Sequence, residues 1–251
     1  MQSSNGTLIV TGASRGIGAA VARLAGARGY RVAVNYVRDR RAAEAVVEHI
    51  AAAGGRAAAI EADVSNEAGV IALFTTAERE LGPIGALVNN AGTIGGGTRV
   101  DALEAEVLER VLALNVTGTL LCAREAIRRM STRHGGSGGA IVNLSSLAAR
   151  LGSPGEYVNY AASKGAVDSL TVGLAREVAG EGIRVNAVAP GLIETEIHAS
   201  AGDPTRLERL SGGVPIGRAG LAEEVAEAIV WLLSPAASYV TGTILEVGGG
   251  R

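Results

Sequence analysis

The chain predicts an α/β fold, one doubly wound parallel sheet of seven strands with helices on both faces. Short β-rich runs alternate with longer, alanine-rich helical runs. Several strands are apolar at almost every position, the pattern of strands covered on both sides. A glycine-rich turn follows the first strand, where an open sheet of this kind holds phosphate. A (β/α)₈ barrel needs eight units of similar form. Seven strands can be read here.

In order, the expected strands are TLIVTG (7–12), RVAVNY (31–36), RAAAIEA (56–62), ALVNNA (86–91), AIVNLSS (140–146), IRVNAVA (183–189) and TILEV (243–247). Helices are expected at 16–28, 40–53, 66–81, 104–131, 159–180 and 222–233. HGGSGG (134–139) reads as a turn before the fifth strand. No linker, repeat or low-complexity run divides the sequence, so residues 1–251 are expected to form a single domain. The segment at about 191–220 lacks periodicity, holds several glycines and prolines, and lies where a substrate lid can sit.

The bulk numbers narrow the function. With 47% hydrophobic residues and a net charge of −2, the chain can bury a large core and has no bias towards nucleic acid or an anionic membrane. No apolar run approaches a membrane span, and the N-terminus has no secretion-signal pattern, so a soluble cytoplasmic protein is expected. Cys122 is the lone cysteine and is expected to be a buried, inert thiol. Histidines 49, 134 and 198 are not spaced as ligands, so no metal is expected. His198 reads as an exposed loop residue.

TGASRGIG (11–18) carries glycines at 12, 16 and 18, which permit a tight turn and close backbone approach to a pyrophosphate at a helix N-terminus. Ser14, Arg15 and Ile17 lie in the same loop. The spacing differs from the G-x-G-x-x-G of the usual dinucleotide fingerprint, so context must decide. The second strand ends in Asn35 and Tyr36, where an NAD site would place a carboxylate. With Arg15 and Arg38 near, NADP is expected in preference to NAD. Asp63 and Val64 end the third strand, with Asp63 able to accept from an adenine amino group. Asn90, Ala91 and Gly92 end the fourth, small enough for a ribose to approach. Pro190 and Gly191 shape the turn after the sixth.

Tyr160 and Lys164 stand four apart, which on a helix puts them on one face. Lys164 is the only lysine; the other 22 of the 23 basic residues are arginines. With five tyrosines in 251 positions, chance puts the lone lysine four after one of them in about 5/251, or 2%, of cases. A free phenol, with a pKa of about 10, transfers protons poorly at neutral pH. One positive charge at about 4 Å supplies about 4 kcal/mol at an effective dielectric of about 20, enough to lower that pKa usefully.

TGASRGIG, DV (63–64), NNAG (89–92), Asn115 in LALNVTG, NLSS, YAASK, NAVAPG and a terminal VGGG occur in the order found in the short-chain dehydrogenase/reductase family, and the chain resembles its single-domain form over nearly all its length. The resemblance implies a Rossmann-type fold and an NAD(P)-dependent oxidoreductase acting on carbonyl or alcohol groups. Its catalytic roles fall on Asn115, Ser146, Tyr160 and Lys164: Tyr160 as acid, Ser146 holding the oxygen, Lys164 tuning the phenol and anchoring ribose, Asn115 holding a relay water. Tyr160 and Lys164 thus also count among the cofactor contacts, and Ile193 and Thr195 are implied to meet the nicotinamide carboxamide. Ser146 to Tyr160 is fourteen residues, one more than common in the family, which a bulged GSPGE loop explains. Ser146 is preferred to Ser145, and Tyr157 is set aside because Ala161, not lysine, follows it by four. The resemblance further implies a homotetramer, with helices 104–131 and 159–180 and the final strand at interfaces. The pattern is similar to 3-oxoacyl thioester reductases and glucose dehydrogenase-like members; the alternative reading is a catalytically silent NADP-binding regulator. An epimerase or dehydratase on a related fold would need a C-terminal substrate domain, for which too few residues follow the sixth strand.

Overall fold

The computed structural model describes residues 6–195 and 206–251. Seven strands form one sheet: β1 Thr7–Val10, β2 Arg31–Tyr36, β3 Arg56–Glu61, β4 Ile84–Asn89, β5 Gly139–Leu144, β6 Ile183–Pro190 and β7 Ile244–Val247. The order is β3-β2-β1-β4-β5-β6-β7 and every pair is parallel. β1 is buried at every residue, because helices cover both faces of its neighbours. The helices are α1 Gly16–Ala27, α2 Arg40–Ala52, α3 Glu67–Leu81, α4 Ala105–Leu112, α5 Thr119–Met130, α6 Ala148–Leu151, α7 Val158–Val178, α8 Arg206–Ser211 and α9 Ala222–Leu233.

α1, α2 and α9 pack on one face, around Val21, Val46, Ile229 and the alanines of α1. α3, α5 and α7 cover the other, around Leu73, Phe74, Ala126 and Val178. The chain reverses direction across the sheet between β1 and β4, so a crevice opens above their carboxyl ends, where ligands bind in open α/β sheets.

The fold class is the one the sequence predicts, with two refinements. Strands end earlier than expected at β1, β4 and β5, because the polar and glycine residues at their ends leave the ladder to build the crevice. The helix expected over 104–131 is two helices joined by a π turn, Ala113–Gly118. Gly118 forces close packing there: a Cβ on it would lie 2.6 Å from the Val64 carbonyl. In the loop before α7, Ser153 adopts a left-handed conformation at φ 46°. In the 191–220 segment, Ile193 bridges Gly220, and Leu192, Val214 and Ala219 form a small apolar cluster. His198 lies outside the described residues.

Cys122 is buried, and burial together with the Glu125 charge pushes its thiol up to about 12, so it is inert at neutral pH. Among the described residues, no helix is long and apolar enough to cross a membrane.

Candidate active site

The β1–α1 loop is shaped by its glycines. Gly12 (φ 62°) and Gly16 (φ 54°) adopt the left-handed region that other residues resist. A Cβ on Gly18 would sit 2.5 Å from Asn90 Nδ2 and 2.6 Å from the Gly12 carbonyl oxygen. Gly18 is therefore required for the loop to pack against Asn90 and its own first turn.

Side chains from three strands hold this loop. Asn90 Nδ2 donates to the carbonyl oxygens of Thr11 (2.8 Å) and Gly12 (3.0 Å). Thr11 Oγ1 accepts the amides of Asn90 and Ala91, each at 3.0 Å. Asn35 Oδ1 accepts from the Gly12 amide at 3.1 Å, while its Nδ2 donates to Ala62 O at 2.9 Å. Thr11 is a site organiser that the motif contains but sequence reasoning did not single out. Its partners are about eighty residues away, and nothing local marks them.

Three of the expected cofactor contacts have buried side chains. Asn35 is 1% exposed and its amide is occupied by backbone groups. Tyr36 lies in the core with its hydroxyl donating to Glu61 Oε2 at 3.3 Å. Val64 is 2% exposed and packs in the opposite core. In each case the residue ends a buried strand or its turn, so its side chain completes the protein interior. Asp63 Oδ1 accepts from the Ser65 amide at 2.9 Å and remains at the surface. Arg15 and Arg38 are exposed, and neither enters an ion pair among the described residues.

At the other end of the crevice lies a cleft of about 420 Å³ that brings together Ile17, Asn90, Gly92, Ser146, Tyr160, Lys164, Pro190, Gly191, Ile193 and Thr195. Tyr160 and Lys164 project from the first two turns of α7, with Nζ 5.6 Å from the centre of the Tyr160 ring. Lys164 is 5% exposed and donates to the Leu144 carbonyl oxygen at 2.6 Å. Burial lowers its pKa from 10.5 to about 8, against the attraction of Asp168 one turn on. A Cβ on Gly92 would stand 3.6 Å from Nζ, so the absence of a side chain there leaves the ammonium accessible from the cleft.

Ser146 and Ser145 face differently. Ser146 Oγ accepts the Ala148 amide at 3.1 Å, and its hydroxyl is hydrogen-bonded with Tyr160 in the cleft. Ser145 is 3% exposed and its Oγ reaches the Lys164 carbonyl at 3.4 Å, in the seam between β5 and α7.

Burial raises the Tyr160 pKa above 10, and its hydrogen bond with Ser146 opposes this. The Lys164 ammonium, on the same face of α7, donates one N–H to Leu144.

Asn115 lies in the π turn, fully buried. Its Oδ1 accepts from the Thr93 amide (2.8 Å), and its Nδ2 donates to Thr93 O (2.9 Å) and Ser163 Oγ (3.0 Å). Its backbone carbonyl accepts from Thr119 Oγ1 at 2.9 Å. It thus clamps the loop after β4 onto α7.

Tyr157, set aside as a base, is 4% exposed and forms part of the cleft wall, against Gly97. Its spacing of three from Tyr160, one helical turn, is the signal that could have placed it there.

The family model described as Enoyl-(Acyl carrier protein) reductase matches residues 12–251. The chain is 56% identical to the Uncharacterized oxidoreductase YgfF of Escherichia coli (strain K12), over 97% of this chain and 98% of that protein. It is 44% identical to 3beta-hydroxysteroid dehydrogenase 1 of Eggerthella lenta, over 97% and 92%. A solved structure, a Short chain dehydrogenase from Burkholderia cenocepacia J2315 in complex with NADP, superposes with a TM-score of 0.90 at 32% identity, covering 98% of both chains.

Proposed function

The chain belongs to the short-chain dehydrogenase/reductase family of oxidoreductases acting on CH–OH and C=O groups, and from that premise we propose that it is an NADP-dependent carbonyl reductase or alcohol dehydrogenase with Tyr160 as acid and base. The observation that carries the proposal is the convergence of Ser146, Tyr160 and Lys164 on the cleft bordered by the glycine-loop and β6-end residues.

The residues present fit a nicotinamide dinucleotide. Gly12 and Gly16 adopt left-handed φ and Gly18 packs tightly on Asn90, which supports a tight turn at the α1 N-terminus suited to a pyrophosphate. Gly92 leaves room beside Lys164, and Pro190, Gly191, Ile193 and Thr195 line the carboxamide end. Arg15 and Arg38, exposed and outside any described ion pair, support a 2′-phosphate and hence NADP. The NADP complex of the Burkholderia relative agrees with that choice.

When bound, a reduced nicotinamide supplies the hydride. Ser146, its oxygen held by the Ala148 amide, donates to the carbonyl oxygen as negative charge develops. Tyr160 gives that oxygen its proton in reduction and takes it back in oxidation. Lys164 has three N–H donors and spends one on Leu144, so two remain for ribose hydroxyls and for water. Its charge stabilises the phenolate that Tyr160 becomes after giving up the proton. Asn115 fixes the loop that bears Gly92 and orders the π turn beside α7.

Leu112 and Leu120, exposed beside the π turn, support a homo-oligomer built on this face.

The test is Tyr160→Phe followed by NADPH oxidation and by direct NADPH titration. Turnover should fall at least about a hundredfold with NADPH affinity within about threefold. Retained turnover would remove Tyr160 from its role. Cofactor binding with no turnover of any carbonyl by the native protein would favour the silent regulator.

A further inference from the structure

We infer that the cleft selects a ketone or secondary alcohol carried on an uncharged, apolar body, such as an alkyl-substituted ring, and discriminates against sugars and charged acyl groups. This rests on the oxidoreductase reading above and names the substrate class for that same site.

The cleft lining includes Ile17, Asn90, Gly92 and Gly191, together with an apolar set of Leu147, Leu151, Pro154, Tyr157, Leu192 and Leu210. Leu147, Tyr157 and Leu192 are 3–5% exposed, so their positions are fixed by packing. Leu151, 46% exposed, stands at the mouth.

Among the described residues, the polar side chains interspersed with this apolar set in the lining are Ser153, Glu156 and Arg251. Glu156 pairs with Arg209 at 3.3 Å, and its backbone carbonyl accepts from the Thr98 amide at 2.8 Å. The Arg251 carbonyl oxygen accepts from Arg150 at 3.1 Å. Ser153 adds one hydroxyl on the loop before α7. The groups aimed at a substrate oxygen are Ser146 and Tyr160, enough for one carbonyl.

A polyol brought into such a cleft gives up water at every hydroxyl and recovers a partner at one. Each unpaired hydroxyl lowers kcat/KM about tenfold or more. An apolar body instead gains with each methylene placed against the leucines, by about two- to fourfold. A charged acyl arm gives up its hydration when placed against the leucines.

The experiment uses the full chain with NADPH and a series of cyclohexanones bearing 4-hydrogen, methyl, ethyl and propyl groups, beside dihydroxyacetone and a keto acid. Glucose oxidation with NADP⁺ is measured in parallel. kcat/KM should climb about two- to fourfold per methylene and exceed that for the polyhydroxy and charged compounds by about a hundredfold. In Leu151→Ser and Leu210→Ser the climb per methylene should fall towards unity. A flat series, or faster turnover of the sugar or the keto acid, overturns the inference while leaving the oxidoreductase reading intact. Calorimetric titration of 4-propylcyclohexanol into the protein–NADP⁺ complex gives a readout independent of turnover. Binding with a negative heat-capacity change that weakens in Leu151→Ser supports the inference even if no ketone is reduced, an outcome that defeats the oxidoreductase reading instead. Absence of binding overturns the inference.

Discussion

Lys164 carries a cost that function explains. The residue is 5% exposed, its ammonium donates to the Leu144 carbonyl, and burial lowers its pKa to about 8. Below pH 8 the group is charged in both folded and unfolded chains, and the folded chain bears the full burial penalty. Between about 8 and 10.5 the unfolded chain binds the extra proton, so stability from this group rises with pH across that window. Lys164→Met should therefore be more stable than the native protein at pH 7, by up to about 3 kcal/mol, and lose that advantage by pH 10.5. Denaturant melts at the two pH values check this; a variant less stable at pH 7 would mean that the Leu144 bond outweighs desolvation. Catalysis follows the opposite sign, because ketone reduction needs the charge and kcat/KM should decline as pH rises through about 8. The importance of this residue was legible in the sequence because it is the sole lysine. What was not legible is where its ammonium rests, since the carbonyl it meets ends a strand twenty residues earlier.

Two elements position the chemistry, and they differ in how plainly the sequence announces them. The glycine loop is announced by composition, since left-handed turns and close approach have few other solutions. Gly18→Ala should raise the NADPH KM about tenfold or more, because the new methyl collides with Asn90 Nδ2 and the Gly12 carbonyl. Steady-state titration of NADPH measures it, and an unchanged KM would show that the loop can yield. The π turn at Ala113–Gly118 is hidden within an unbroken helical pattern. Its causes are tertiary: Gly118 against the Val64 carbonyl, Asn115 clamped to Thr93, and Thr119 Oγ1 on the Asn115 carbonyl. Hydrophobic periodicity reads one helix there because each half keeps its own apolar face. Likewise Asn35 and Tyr36 read as open to a cofactor from their place at a strand end, whereas they point to opposite faces of β2 and both are buried because helices cover both faces of the sheet.

At the scale of the molecule, the strand order reverses between β1 and β4 and brings groups from distant parts of the chain to one crevice. In the proposed reading α1 supplies the phosphate cradle and α7, well over a hundred residues later, the proton donor. The choice of NADP rests on exposed arginines at the far rim, so Arg15→Ala/Arg38→Ala should raise the NADPH KM about ten- to a hundredfold and leave that for NADH within about threefold. Equal losses for both cofactors would assign those arginines to folding. The central claim is that a positive charge at Lys164 and an occupied cradle together make Tyr160 acidic enough to exchange a proton, although burial alone raises its pKa. An ultraviolet difference titration, native protein minus Tyr160→Phe, isolates this one phenol among five. With NADP⁺ bound its midpoint should fall by at least about one unit relative to the free protein, and Lys164→Met should abolish most of that fall. A midpoint that stays above 10 whether or not NADP⁺ is bound, or one indifferent to Lys164, would contradict the account.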